Sequence, residues 1–225
     1  MHAHLPASRS PGTSRPVFVL TDARTGSTLL VSYLSQLAGV TALPEVLNHG
    51  QHRSLTGCRE PGDVVLYVRR LVKAAPAGWV SLNIHPSHLA FRRMTATRLL
   101  SAFPDSALIQ LYRNDLLAQL TSLTLARSTG QWDRREQDAT GPARTTVHID
   151  PDDFWRFREQ RVSWTTEVEG LAASWPRALV LEYQQLAETP TDVVRQVARV
   201  LAVPAPRTLT ERLHKQEHIL SLIHI

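Results

Sequence analysis

The stretch that most restricts the fold is Val17 to Leu34, "VFVLTDARTGSTLLVSYL". Val17 to Leu20 is a short, continuous apolar run of the kind that forms a buried strand. A polar turn follows, and from Thr28 to Leu37 apolar residues at 29, 30, 34 and 37 recur with the spacing of one helix face. Strand, tight turn and helix, in that order, aim free backbone N–H groups and the positive end of a helix dipole at an anion. A Walker loop would need G-x-x-x-x-G-K-[ST]. Here Gly26 is the one glycine, the nearby cation is Arg24, and Ser27 and Thr28 follow. The turn suits a phosphate without the lysine that ATP hydrolysis uses.

The rest of the chain repeats the alternation. "GWVSLNIHP", "ALIQLY" and "RALVLEY" read as further strands. Helices are predicted over Val64 to Ala75, Thr95 to Phe103, "NDLLAQLTSLTLARSTG", "DPDDFWRFREQRVSWTTEVEGLAASW" and "TPTDVVRQVARVLAV". "TALPEVLNHG", broken by Pro44 and ended by Gly50, reads as a loop, and residues 133–149 as irregular. In the Asp150–Trp175 helix, Phe154, Trp155 and Trp164 fit a packing face. Four strands alternating with helices predict an α/β fold, a mostly parallel sheet with helices on both faces.

A second strand–loop–helix unit lies in "LIQLYRNDLLAQLTS". Arg113 stands at its strand's carboxyl end and Ser122 lies nine residues on, roughly two and a half helical turns away. Ligands of open α/β sheets bind beyond the carboxyl ends of the strands. Both anion-suited segments are therefore expected on one edge, which points to a ligand with two separated phosphates.

Composition narrows the class. The 225 residues are 43% hydrophobic and 20% charged, as in ordinary globular domains. The lone cysteine, Cys58, excludes an intramolecular disulfide framework and fits a reducing, cytoplasmic setting. No apolar run approaches the roughly 20 residues of a membrane span. The net charge of +5 is scattered through the chain, so an anionic small molecule explains it and no nucleic acid is expected. The histidines form no H-E-x-x-H or Cys/His ligand spacing, so no metal is expected.

These motifs resemble the sulfotransferases that use 3'-phosphoadenosine-5'-phosphosulfate (PAPS). "RTGSTLL" resembles their 5'-phosphosulfate loop, and "YRNDLLAQLTSLTLARSTGQW" their 3'-phosphate segment. The nearer likeness is to the bacterial carbohydrate branch, typified by trehalose and nodulation-factor sulfotransferases, which has an arginine ahead of the glycine. Its R-x-D-x-x-x-Q-x-x-S spacing is met by Arg113, Asp115, Gln119 and Ser122, whereas the cytosolic branch's spacing points to Thr121. The likeness extends through "PEVLN" and "LEYQQL" to "HKQEH", about residues 17–218.

The resemblance implies a P-loop-type sulfotransferase fold and transfer of a sulfuryl group from PAPS to a hydroxyl of a carbohydrate or glycosylated small molecule. Thr25, Gly26, Ser27 and Thr28 would bind the 5'-phosphate, and Arg24 would neutralise charge on the bridging oxygen and the moving group. Arg113 and Ser122 would hold the 3'-phosphate. Glu45 matches the glutamate read as the base in the carbohydrate branch. His85 lies where the cytosolic branch carries a catalytic histidine, although Asn83 fills that branch's lysine position. His88 reads as a helix-side surface residue. The oligomeric state is left open, a homodimer included. Two other readings stay open at this stage: a nucleotide kinase or NTPase of the same fold, and a non-catalytic binder of phosphorylated ligands or RNA.

The ends are expected to lie outside the domain. Residues 1–16, "MHAHLPASRSPGTSRP", are rich in Pro and Ser and lack the apolar core of a secretory signal, so they read as a disordered lead to a 17–219 domain. Residues 220–225, "LSLIHI", are what CTG TCT CTT ATA CAC ATC encodes, the mosaic end of a transposase used in sequencing libraries. They read as adapter sequence, with the natural chain continuing differently after about Ile219.

Overall fold

The computed structural model describes residues 14–48, 60–76, 78–130, 132 and 147–210. Its strands are β1 (Arg15–Leu20), β2 (Val40–Leu43), β3 (Trp79–Ile84), β4 (Ala107–Tyr112) and β5 (Ala178–Glu182). Its helices are α1 (Ser27–Leu34), α2 (Pro61–Ala74), α3 (Pro86–Ala90), α4 (Ala96–Ser101), α5 (Leu116–Thr129), α6 (Pro151–Ser174), α7 (Tyr183–Glu188) and α8 (Pro190–Leu201). The residues 220–225 and "HKQEH" lie outside the described residues, as do 133–146 and the lead up to residue 13.

The five strands form one sheet in the order β2-β3-β1-β4-β5, every pair parallel. The expected α/β architecture is present. Alternation along β1 divides the core. Val17 and Val19 face α1 and α8, where Leu30, Leu34, Val193 and Val197 pack. Phe18 and Leu20 face the other layer, with Val64 and Val68 of α2, Leu99 of α4 and Val168 of α6. Each fully buried Val, Leu or Phe side chain contributes about 1.5–3 kcal/mol, so both layers are anchored on this central strand.

The chain passes from β1 to β2 and β3 on one side, then crosses to β4 and β5 on the other. The strand order therefore reverses between β1 and β4, and an open α/β sheet leaves its ligand crevice at such a switch point. The two anion-suited loops leave these two strands, at the same edge.

Two expectations need correction. Residues 41–43, read as part of a loop, form with Val40 the edge strand β2, paired to β3 from Val40↔Trp79 to Leu43↔Leu82. Trp155, assigned to a packing face, is 59% exposed, whereas Phe154 and Trp164 do pack against the core. Among the described residues no helix is long and apolar enough to cross a membrane.

Candidate active site

β1 delivers the chain into a turn that closes on itself. Thr25 Oγ1 donates to the Asp22 carbonyl at 2.8 Å and also pairs with the Thr21 hydroxyl. Arg24 (φ 65°) and Gly26 (φ 85°) both adopt the left-handed conformation. Glycine takes that conformation without strain. At Gly26 it also makes room, because a Cβ would lie 2.6 Å from the Tyr183 ring. Gly26 then starts α1 with no side-chain cap and no acidic residue in the first turn. The first helical bond back to the turn runs from Leu30 N–H to the Gly26 carbonyl, at 2.9 Å. The leading N–H groups of α1 have no earlier helical carbonyl to bond, the usual condition of a helix start that holds an anion.

The β4–α5 unit grips this turn. Asp115 caps α5, accepting from the Ala118 N–H at 2.9 Å, and Gly130 ends the helix at φ 71°. One face of α5 then presents Gln119, whose Nε2 donates to the Ala23 carbonyl at 2.7 Å. One turn further on, Ser122 Oγ accepts from Arg24 Nε at 2.8 Å. Thr121 points elsewhere, donating back to the Leu117 carbonyl at 2.8 Å. Ser122, rather than Thr121, is thus the hydroxyl facing the loop. Arg24 also donates to the Trp132 carbonyl. Arg113 donates to the Arg24 carbonyl at 3.4 Å and lies over the Tyr183 ring at 4.6 Å, while its buried Nε meets no hydrogen-bond partner among the described residues. Thr25 and Ser27 are buried and Thr28 is exposed.

On the other side of β1, Glu45 follows β2 in a turn closed by the Asn48 N–H on the Glu45 carbonyl at 2.9 Å. Asn48 Nδ2 also donates to Glu45 Oε2 at 2.8 Å. β3 carries His85 to the same place. His85 Nε2 lies 3.7 Å from Glu45 Oε1, and His88 Nε2 lies 3.6 Å from Oε2. The two imidazoles stack, with centroids 4.7 Å apart and planes 8° from parallel. His88 is only 6% exposed, which overturns its reading as a surface residue. Its five-residue helix α3 turns it inward beside Glu45.

Sequence reasoning missed Arg161. Its Nη1 lies 2.6 Å from Asp22 Oδ2, tying α6 to the turn below the loop. Burial pushes the Asp22 carboxyl above its ordinary value, against the opposing pull of Arg161. Burial lowers the Arg161 guanidinium, Asp22 opposes that, and Arg127 adds to it. A small pocket beside this pair is lined by Asp22, Thr25, Gln110, Arg113, Gln119 and Arg161 together with apolar side chains such as Leu20 and Trp164. No local motif marks Arg161, because its partner arrives only through the tertiary fold.

Burial, helped by the Arg161 guanidinium, lowers the His85 imidazole to about 4. An unfolded imidazole takes a proton near 6.5, so between these values the unfolded state binds more protons than the folded one. Stability from this residue is therefore complete above about pH 6.5 and is lost as pH falls toward 4. The full window corresponds to about 3 kcal/mol. Denaturant titrations at pH 7 and 4.5 should show a loss in the wild type that shrinks by most of that amount in His85→Gln. Equal losses would show that His85 is not held neutral.

No family model matches the chain, and no curated protein matches it either. Among solved structures it is similar to a sulfotransferase from Alicyclobacillus acidocaldarius, at TM-score 0.55 and 17% identity, over 93% of this chain and 88% of that one. It is also similar to the sulfotransferase domain from the curacin biosynthetic pathway, at TM-score 0.50 and 15% identity, over 94% and 82% of the two chains. The sulfotransferase domain of the Synechococcus PCC 7002 olefin synthase aligns at TM-score 0.50 and 15% identity, over 90% of this chain and 78% of that one. The likeness is one of fold: the chain has the P-loop-type fold of the sulfotransferases.

Proposed function

We propose that the chain transfers a sulfuryl group from PAPS to a hydroxyl, with a carbohydrate or glycosylated small molecule as acceptor. The observation that carries the reading is the joining of two anion-suited loops at the switch point, through the Arg24–Ser122 hydrogen bond and the Arg113–Arg24 carbonyl contact. The residues suit the nucleotide. The uncapped start of α1 offers N–H groups to a 5'-phosphate, and Ser27 and Thr28 flank it. Arg113, whose buried Nε has no partner among the described residues, and Ser122 supply donors for a 3'-phosphate.

In this reaction the acceptor oxygen forms a bond to sulfur while the bond from sulfur to the phosphate's bridging oxygen breaks. The acceptor proton goes to Glu45, and adenosine 3',5'-bisphosphate leaves. As in phosphoryl transfer, positioning and charge neutralisation do most of the work. Arg24 lies at the mouth of the loop and would offset charge on the bridging oxygen.

The test is nucleotide choice. Adenosine 3',5'-bisphosphate should bind at least about tenfold tighter than the 5'-monophosphate, since one charge-assisted phosphate contact is worth roughly 1.5–3 kcal/mol. Calorimetry giving equal affinities would remove the second phosphate site. Tight ATP binding with hydrolysis, and no response to the bisphosphate, would move the chain to the nucleotide kinases and NTPases.

A further inference from the structure

We propose that His85 and His88 are positioning residues for Glu45, a stacked pair of imidazoles that both present an Nε2–H to its carboxylate and keep it aimed into the crevice. The inference deepens the reading of Glu45 as the base and rests on it.

It starts from how α3 begins. His85 is the N-cap, Pro86 opens the helix and His88 is the third helical residue, and the two histidines cap each other. The His85 backbone N–H donates to His88 Nδ1 at 3.3 Å, while the His88 backbone N–H bonds the His85 carbonyl at 3.0 Å and only faces the His85 side chain. With Nε2 turned to Glu45, the His85 nitrogen facing that N–H is Nδ1. A neutral imidazole whose Nδ1 accepts a hydrogen bond carries its proton on Nε2. This bond sets the tautomer of His88, and in His85 the N–H facing Nδ1 and the carboxylate facing Nε2 favour the same one. Their near-parallel stack places both Nε2 atoms on the same side, each opposite its own carboxylate oxygen.

At 3.7 and 3.6 Å the contacts are longer than hydrogen bonds, so they act through charge and dipole, while Asn48 supplies the direct bond at 2.8 Å. The groups bearing on His85 are the Glu45 carboxylate, His88 and the Arg161 guanidinium. Burial keeps it neutral at pH 7. A neutral His85 with hydrogen already on Nε2 has no lone pair there to receive an acceptor's proton, which leaves that task to Glu45.

The same donors also form a two-histidine, one-carboxylate set whose ligand atoms all lie within 4.8 Å of one another. A transition metal would need the Nε2 lone pairs. Both rings would have to switch tautomer and give up the cap. Metal binding is thus the competing outcome.

Two measurements need no acceptor. Long-range 15N–1H correlation spectra of the labelled wild type at pH 7, assigned with His85→Gln and His88→Gln, should show both rings as Nε2–H tautomers. Either ring as Nδ1–H would overturn the proposal. Calorimetric titration with Zn2+ should find no site on the cluster. A site on the order of micromolar affinity, lost in His88→Gln, would assign the cluster to a metal instead. With an acceptor, His88→Leu should lower kcat about tenfold or more without changing adenosine bisphosphate affinity. His88→Gln, which keeps an N–H toward Glu45, should recover most of that loss. Equal kcat in the two variants would reject positioning. Failure to bind the bisphosphate would reject the sulfuryl-transfer reading while leaving the tautomer result intact.

Discussion

Glu45→Gln should lower turnover by about a hundred- to ten-thousandfold, the usual weight of a positioned general base, and leave adenosine 3',5'-bisphosphate affinity unchanged. Glutamine keeps the length and an oxygen that can still accept from Asn48 Nδ2, but it cannot take a proton. Glu45 lies across β1 from the Arg113–Ser122 side of the crevice, so nucleotide affinity is a separate readout. His85→Gln should cost much less, through packing at a buried site. An unperturbed histidine base would give an acid limb near pH 6–7. Burial holds His85 at about 4 instead, so a missing limb near pH 6–7 would not exclude the histidine and the pH profile cannot single out the base. The paired substitutions can. A nearly intact rate in Glu45→Gln beside an inactive His85→Gln would place the chemistry on the histidine.

The parts of this molecule that were legible in its sequence are those in which local pattern and tertiary role coincide. β1 and α1 are legible because the apolar run and the helical repeat are long enough to show their periods, and Gly26 marks the change between them. α5 is marked at both ends, by Asp115 and Gly130. β2 is not legible, because four half-buried residues, "VTAL", followed closely by Pro44, carry no strand signal of their own. Pairing to β3 makes them a strand. The inward turn of His88 was hidden for a related reason. Pro86 reads as the end of a strand, and only the fold shows that it also begins a helix, which brings His88 against Glu45. The choice between Thr121 and Ser122 depended on helix phase to within one residue. Gln119 and Ser122 share the face that meets Ala23 and Arg24, and Thr121 lies off it, bonded within its own helix.

Arg24→Ala should lower turnover by about two to three orders of magnitude, the scale of removing a preorganised donor from developing charge. The residue is poised by three features. Its backbone is left-handed at φ 65°, uncommon for a residue with a Cβ and maintained only where surroundings impose it. Its Nε is fixed on Ser122 at 2.8 Å, and its Nη1 reaches the Trp132 carbonyl. Alanine keeps the Cβ and so keeps the backbone cost, while the carbonyl that receives Arg113 remains. The variant also leaves Ser122 Oγ without its donor, so some stability, about 1–3 kcal/mol, is lost along with the charge. Turnover must therefore be compared at a temperature where denaturant titration shows both proteins folded, and with nucleotide at saturation. Arg24→Lys separates charge from geometry: it restores the cation but not the planar fork that holds Ser122, and should recover only part of the rate. Wild-type turnover in Arg24→Ala, with adenosine bisphosphate still bound, would remove the arginine from the chemistry and leave it as a strut between the two loops.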